Sequence, residues 1–568
     1  MTSRRIVGLT LMGAVVSGAL FAAGVFAGRP DLASRDGVGR ILARLGIGVP
    51  DRVVSGSSTR VIDSALLPLS IEAYAYTLGA PARSRGGGGI AGAGDEVIGV
   101  DRLGHFFLFS AAREFASLDI SIETNIDDLR RMPIDMVELQ QRGIDTADLI
   151  RRGLNPEAPH EFNLRSFRFT DIELSERDGG LDVLVGYAYW YPERQCKTLR
   201  LSRAHVPSLA ALADGLQPDW DQIFETTPCI EFSYRAASGF QSPNNGGRIA
   251  FLDADRVLFS VGDHHMDGFN SEIAASQVDS VSYGKLYEIN LRTLEPTLFA
   301  KGLRNAQGVF VDADGTVWET EHGPQGGDEL NRIQRGGNYG WPYVTHGTQY
   351  RDYQWPLNPT PGRHNAFEPP LYSWVPSIGV SSILRVYDFA DAWDGDLLAG
   401  SLRAGSLFRV TLVNDRVTVV EPIPVGDRVR DMLQAGDGAI IVWTDSQRIL
   451  RLSPQVGAVG GPIPFAESLE AGVLDAVSGC ATCHSLSRGE GSLAAPSLWG
   501  VYGRRIGGAP YTGYSAALSG RRDRWNAESL EGYIRDPDAF APGSTMPSPE
   551  VGGDAEVAGI ITYLRRLR

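Results

Sequence analysis

The chain has 568 residues, 43% of them hydrophobic, and carries 53 basic against 68 acidic side chains for a net charge of −15. That length buries more than one core, so a single compact domain is not expected. The acidic surplus argues against nucleic acid or an anionic membrane surface as a partner.

In chain order, Arg4 and Arg5 precede an apolar stretch from Ile6 to Ala27 of 22 residues without a charge. This length suits a membrane span and exceeds the usual core of a secretory signal. Arginines on its N-terminal side place the N-terminus in the cytoplasm and the remainder outside. Residues 1–28 are therefore expected to be a signal or membrane anchor. An uncleaved anchor is preferred, although Val25-Phe26-Ala27 also reads as a cleavage site. No later stretch is long and apolar enough to span again.

From about 60 to 455 the chain alternates β-branched runs with Gly, Asp and Pro, the pattern of strands in hairpins. A polar turn recurs before such runs at Asp101-Arg102-Leu103-Gly104, Asp253-Ala254-Asp255, Asp312-Ala313-Asp314-Gly315 and Gly436-Asp437-Gly438. Recurrence tens of residues apart predicts a propeller of about six four-stranded blades. The carboxylates in these turns resemble metal ligands, but their recurrence makes them turn formers. Gly86 to Gly89 lack the strand-then-helix frame of a phosphate loop and read as a turn. A helical insertion is expected over 126–153, where Leu139, Ile144 and Leu149 recur near helical spacing. Cys196 and Cys229 read either as a disulfide or as two buried thiols. Lys197, Lys285 and Lys301 are the only lysines, so Schiff-base chemistry has few candidates.

Residues 456–465, rich in Gly and Pro, form the expected linker. Beyond it, Cys480-Ala481-Thr482-Cys483-His484 can thioether-link a haem's vinyl groups through Cys480 and Cys483 and supply His484 as proximal ligand. No second C-x-x-C exists to complete a zinc site. Met546 lies 62 residues after His484 and offers the thioether of a sixth ligand. Covalent haem c is made outside the cytoplasm, which agrees with the N-terminal reading. Residues 466–568 hold 10 arginines against 12 acidic residues, so the acidic surplus sits on the larger part.

The C-terminal motifs carry a resemblance. Residues 466–568 resemble a class I cytochrome c, with Pro496 matching the proline whose carbonyl holds the proximal histidine. Trp525 matches the start of the penultimate helix, while Tyr563 and Leu564 would line the haem. A second resemblance rests on residues 302–342, where Arg304-Asn305, Gln307-Gly308, Glu321-His322-Gly323-Pro324 and Gly327-Asp328-Glu329-Leu330-Asn331 stand in order. This segment is similar to the pyrroloquinoline quinone (PQQ)-dependent aldose, glucose and sorbosone dehydrogenases. Weaker matches extend over 240–450, and little aligns in 60–235. The fold class implied is mainly β: a six-bladed β-propeller over 60–455, followed by a small all-α cytochrome c domain.

The resemblance also implies a site. Arg304 and Asn305 would polarise the quinone oxygens, and Arg403, Arg428 and Arg430 would face its carboxylates. The carbonyls of Gly323 and Pro324 would hold a calcium ion. Asn244 stands where the family has its general-base histidine, and an amide cannot take a hydroxyl proton. The loop after Ser260-Val261-Gly262-Asp263 continues with His264 and His265. One of these would replace the missing base with Asp263 orienting it, or both are plain loop histidines.

Three functions follow as expectations. The first is a periplasmic quinohaemoprotein that oxidises a sugar or alcohol at PQQ and passes electrons to haem c, then to a soluble cytochrome or terminal oxidase. The second is a propeller without catalysis that docks a partner for the cytochrome. The third, unrelated chemistry on the propeller axis, has no residue in its favour.

Overall fold

The computed structural model describes residues 57–568 except 65–66, 77–86, 111, 133–134, 152–153, 156–163, 165–166, 233–243, 351–353, 359–362, 455–462, 482–483, 487–494, 512–513, 545, 547–548 and 550. The expected anchor at 1–28, Cys483 and most of the linker lie outside the described residues. Among the described residues no helix is long and apolar enough to cross a membrane.

Six antiparallel sheets form a six-bladed propeller. Their innermost strands are Gly88–Ala93, Phe169–Arg177, Gly246–Asp253, Ala306–Val311, Val380–Arg385 and Val429–Gln434, each packed against the next in a closed ring. Blade six joins the two ends of the propeller sequence. Pro68–Ala75 pairs with Arg448–Pro454 from Leu69↔Pro454 to Ala75↔Arg448, and Ser57–Asp63 adds an outer strand. Closure of this kind leaves the ring without a free inner edge. Apolar side chains fill the spaces between blades, as with Phe224, Phe259 and Tyr283 between blades two and three.

The Asp-rich turns do what turn chemistry requires. Asp101 Oδ1 accepts from the Leu103 and His105 N–H groups, and Asp253 Oδ1 from Asp255. They join the first and second strands in blades three, four and six, but the second and third in blade one. The second half of the glycine run is corrected from turn to strand: Gly88 and Gly89 open the inner strand of blade one. A Cβ on Gly89 would stand 2.2 Å from Asp171 Oδ1, so only glycine fits that crowded part of the axis. Within 126–153 the chain makes three short helices, Ile126–Arg131, Met136–Gln141 and Thr146–Arg151.

The axis itself is filled by Arg248. Its Nη1 lies 2.8 Å from both Asp171 and Asp431, and its Nε donates to the Gln307 carbonyl at 2.7 Å. Asp431 Oδ2 also accepts from the Ile90 N–H. One guanidinium thus ties blades two, four and six to its own blade three, and Asp431 extends the network to blade one. Burial pushes the Asp171 carboxyl up, with Asp431 adding to that and Arg248 opposing it.

The C-terminal segment is helical. Ala471–Ala481, Ala527–Arg535 and Asp554–Arg566 enclose a core that includes Val477, Leu530, Ile560 and Tyr563. Asn526 and Ser529 cap the middle helix reciprocally.

Candidate active site and haem pocket

All six inner strands begin at one rim of the propeller, and the second strands return to it. That topology gathers Arg168, Asn244–Asn245, Asp263, Arg304–Asn305, Glu321–Pro324, Arg428–Arg430 and Asp445 from distant parts of the chain. Asn305 Oδ1 accepts from the Gly246 N–H at 3.2 Å and from Gln307 Nε2 at 3.1 Å. Arg430 is buried, and its Nε donates to Asp445 Oδ1 at 2.9 Å. Arg428 donates to the same carboxylate at 2.8 Å but leaves 53% of its side chain exposed. Arg403 is exposed on the neighbouring blade.

Two cations that sequence comparison did not single out complete this rim. Lys197, only 1% exposed, donates to Asn245 Oδ1 at 3.3 Å. Burial pushes its ammonium well below the ordinary range, and Arg168 and Arg102 push it further. Burial likewise brings Arg168 down to about 9, with Arg102 and Arg430 adding repulsion and Asp445 opposing it. Four buried or half-buried cations, Arg168, Lys197, Arg304 and Arg430, crowd the rim, and Asp445 is the counter-charge of Arg430 and, at longer range, of Arg168. Such a cluster fits a ligand with several carboxylates. Lys197 is held by the disulfide of its neighbour, Cys196–Cys229, which ties the third strand of blade two to the segment after the fourth. The open choice between disulfide and free thiols is thereby decided.

Arg304 donates through Nη1 to the carbonyls of His322 at 2.9 Å and Gly323 at 2.8 Å, while its buried Nε has no hydrogen-bond partner among the described residues. The Pro324 carbonyl accepts from Tyr350 Oη at 2.8 Å. Each of these two carbonyls thus accepts one hydrogen bond and keeps a second lone pair. The backbone N–H groups of Arg304 and Asn305 both donate to Glu321 Oε2. Burial and the nearby Glu329 push the Glu321 carboxyl up to about 8 against those two bonds.

The two loop histidines separate. His264 is 2% exposed and its ring packs edge-on against Tyr283, 5.4 Å between centroids, in the core between blades two and three. His265 is half-buried, within the fields of Asp263 and Arg304. Burial holds its imidazole below the ordinary range, Arg304 adds to this and Asp263 opposes it. The Asp263 carboxylate accepts from Asn244 Nδ2 at 3.0 Å, the His265 N–H at 3.0 Å and Trp341 Nε1 at 2.8 Å. Asp263 therefore orients Asn244 and Trp341, and it holds His265 through the backbone rather than the ring.

In the helical segment, His484 Nδ1 lies 2.6 Å from the Pro496 carbonyl. A carbonyl only accepts, so Nδ1 carries the proton and Nε2 keeps its lone pair for a metal. Burial lowers the His484 pKa and keeps the ring neutral, as ligation requires. Tyr563 is buried beside Cys480, and burial followed by that neighbour pushes its phenol up to about 12. Met546 is half-buried, its N–H donating to Ser544 Oγ at 3.3 Å. The donor set fits haem c.

Fold and site together define a propeller of the sugar-dehydrogenase type joined to a c-type cytochrome. The family model for glucose/sorbosone dehydrogenase matches residues 230–451. The chain is 32% identical over 317 residues to an uncharacterised Synechocystis protein, covering 49% of this chain and 71% of that one. It is 30% identical over 230 residues to the aldose sugar dehydrogenase YliI of Escherichia coli, covering 37% of this chain and 60% of that one. A third relative, cytochrome c of Sesamum indicum, is 35% identical over 86 residues, 15% of this chain and 78% of that protein. The soluble aldose sugar dehydrogenase of Escherichia coli in its apo-form superposes with a TM-score of 0.51 at 18% identity, covering 68% of this chain and all of that one. This chain belongs to the glucose/sorbosone dehydrogenase family and carries a cytochrome c segment at its C-terminal end.

Proposed function

We propose that this oxidoreductase is a periplasmic quinohaemoprotein that oxidises a sugar or alcohol at PQQ and passes the electrons to its own haem c. The observation that carries the reading is the convergence of Arg168, Lys197, Arg304 and Arg430 on one rim of a chain that also bears C-x-x-C-H. When bound, PQQ supplies a two-electron oxidant and haem c a one-electron acceptor. Lys197, Arg168 and Arg430 would hold the PQQ carboxylates, and Asp445 keeps Arg430 in place. Asn305 and Arg304 would polarise its quinone oxygens. An imidazole nitrogen of His265 takes the substrate hydroxyl proton, while Asp263 and Trp341 set the loop that carries it. The Cys196–Cys229 disulfide supports an oxidising compartment, as does haem c chemistry.

Asn244 favours a second reading, a propeller that only docks a partner for the cytochrome. A visible-spectrum titration of the purified protein with PQQ and a panel of aldoses and alcohols separates the two. Haem reduction that requires both PQQ and a substrate is the expected result. A haem that stays oxidised throughout, with no PQQ retained, supports the docking protein instead.

A further inference from the structure

Glu329, His346 and His364 meet on the outer part of the same rim. Glu329 lies at the start of the third strand of blade four, opposite Glu321 in the cross-strand register. Both histidines come from the long connection that follows this strand and ends at Tyr372–Trp374. The ligand atoms of the three lie within 4.8 Å of one another. Glu329 Oε1 is 3.6 Å from His346 Nδ1, beyond a hydrogen bond. A tetrahedral ion with bonds of about 2.0–2.2 Å holds its donors roughly 3.4 Å apart, so this pair needs little movement.

Two further observations point to a ligand. Glu329 is 6% exposed, and among the described residues the ion-pair partner recorded for it is His346. The Nε2 of His364 is buried and has no hydrogen-bond partner among the described residues. Ser373 Oγ lies 2.8 Å from the same His346 Nδ1, a contact that a metal bound at that nitrogen would displace. Glu319 and Glu321 are buried on the same face of the blade as Glu329.

We propose that Glu329, His346 and His364 bind one divalent transition-metal ion of the zinc type. Two imidazoles and one carboxylate suit zinc and disfavour calcium, which takes oxygen ligands. The ion clips the long connection of blade four onto its strand, and closing a loop of that length stabilises the folded form. The same connection carries Trp341 to Asp263 and Tyr350 to Pro324, so the clip steadies one wall of the catalytic rim.

The test uses the full-length, haem-bearing protein, stripped with a chelator and equilibrated with zinc in excess calcium. Metal analysis should find one zinc per haem. X-ray absorption at the zinc edge should show two imidazole nitrogens at about 2.0–2.1 Å. His346→Gln and His364→Gln should each weaken zinc binding roughly 100-fold, a loss of the size expected for disturbing a metal site. Their haem spectrum and circular dichroism should be unchanged. Wild-type protein that retains no zinc, absorption without imidazole scattering, or equal zinc affinity in both variants would overturn the proposal. If the variants do not fold, the wild-type absorption spectrum decides alone.

Discussion

The Asp263 carboxylate, held by Asn244, Trp341 and the His265 N–H, gives the two adjacent histidines different work. His264 is a core side chain, so His264→Ala should cost roughly 2–4 kcal/mol of stability. His265→Ala should leave stability nearly unchanged and lower kcat by about 10²–10⁴-fold, measured as substrate-driven haem reduction. Because burial depresses the His265 pKa, its neutral, proton-accepting form persists below the ordinary histidine range. The acid limb of the rate profile should therefore fall below pH ~6.5. The same shift means that the unfolded chain takes up the proton first. Stability from this group is present above that pH and is lost as pH falls through it. At the haem, Met546→Ala should lower the midpoint potential sharply, and an unchanged potential would remove Met546 as axial ligand.

At the scale of strands and turns, much was legible and some was not. The Asp-Gly turns announced the blades because their side chains cap the local backbone, a property that needs no distant partner. Arg304, Asn305 and Arg430 were legible because they stand within matched segments. Arg168 and Lys197 were not, since nothing local marks them: only ring closure brings blade two against Asn245 and Arg430. The glycine run misread for a related reason, because the crowding at Gly89 comes from Asp171 and Asp431, far away in sequence. Arg248 shows how strongly this scale matters. Arg248→Met would leave Asp171 and Asp431 buried without their cation and should destabilise the propeller by about 3–5 kcal/mol in denaturant unfolding. Replacing Cys196 and Cys229 by serine should cost about 2–5 kcal/mol. It should also weaken PQQ binding, because the strand that bears Lys197 loses its tie.

Taken as a whole molecule, the chain joins a sugar-dehydrogenase propeller to its own cytochrome by a short Gly- and Pro-rich segment. Tethering replaces a bimolecular encounter by an intramolecular one with a high effective concentration of acceptor. The proposed internal electron transfer should therefore need no added mediator. The most direct test is stopped-flow observation of the haem c bands after mixing PQQ-loaded protein with an aldose, over a tenfold or wider range of protein concentration. The account predicts first-order haem reduction whose rate is independent of protein concentration and absent without PQQ. A rate that rises in proportion to protein concentration, or a haem that remains oxidised with PQQ and substrate both present, would contradict it.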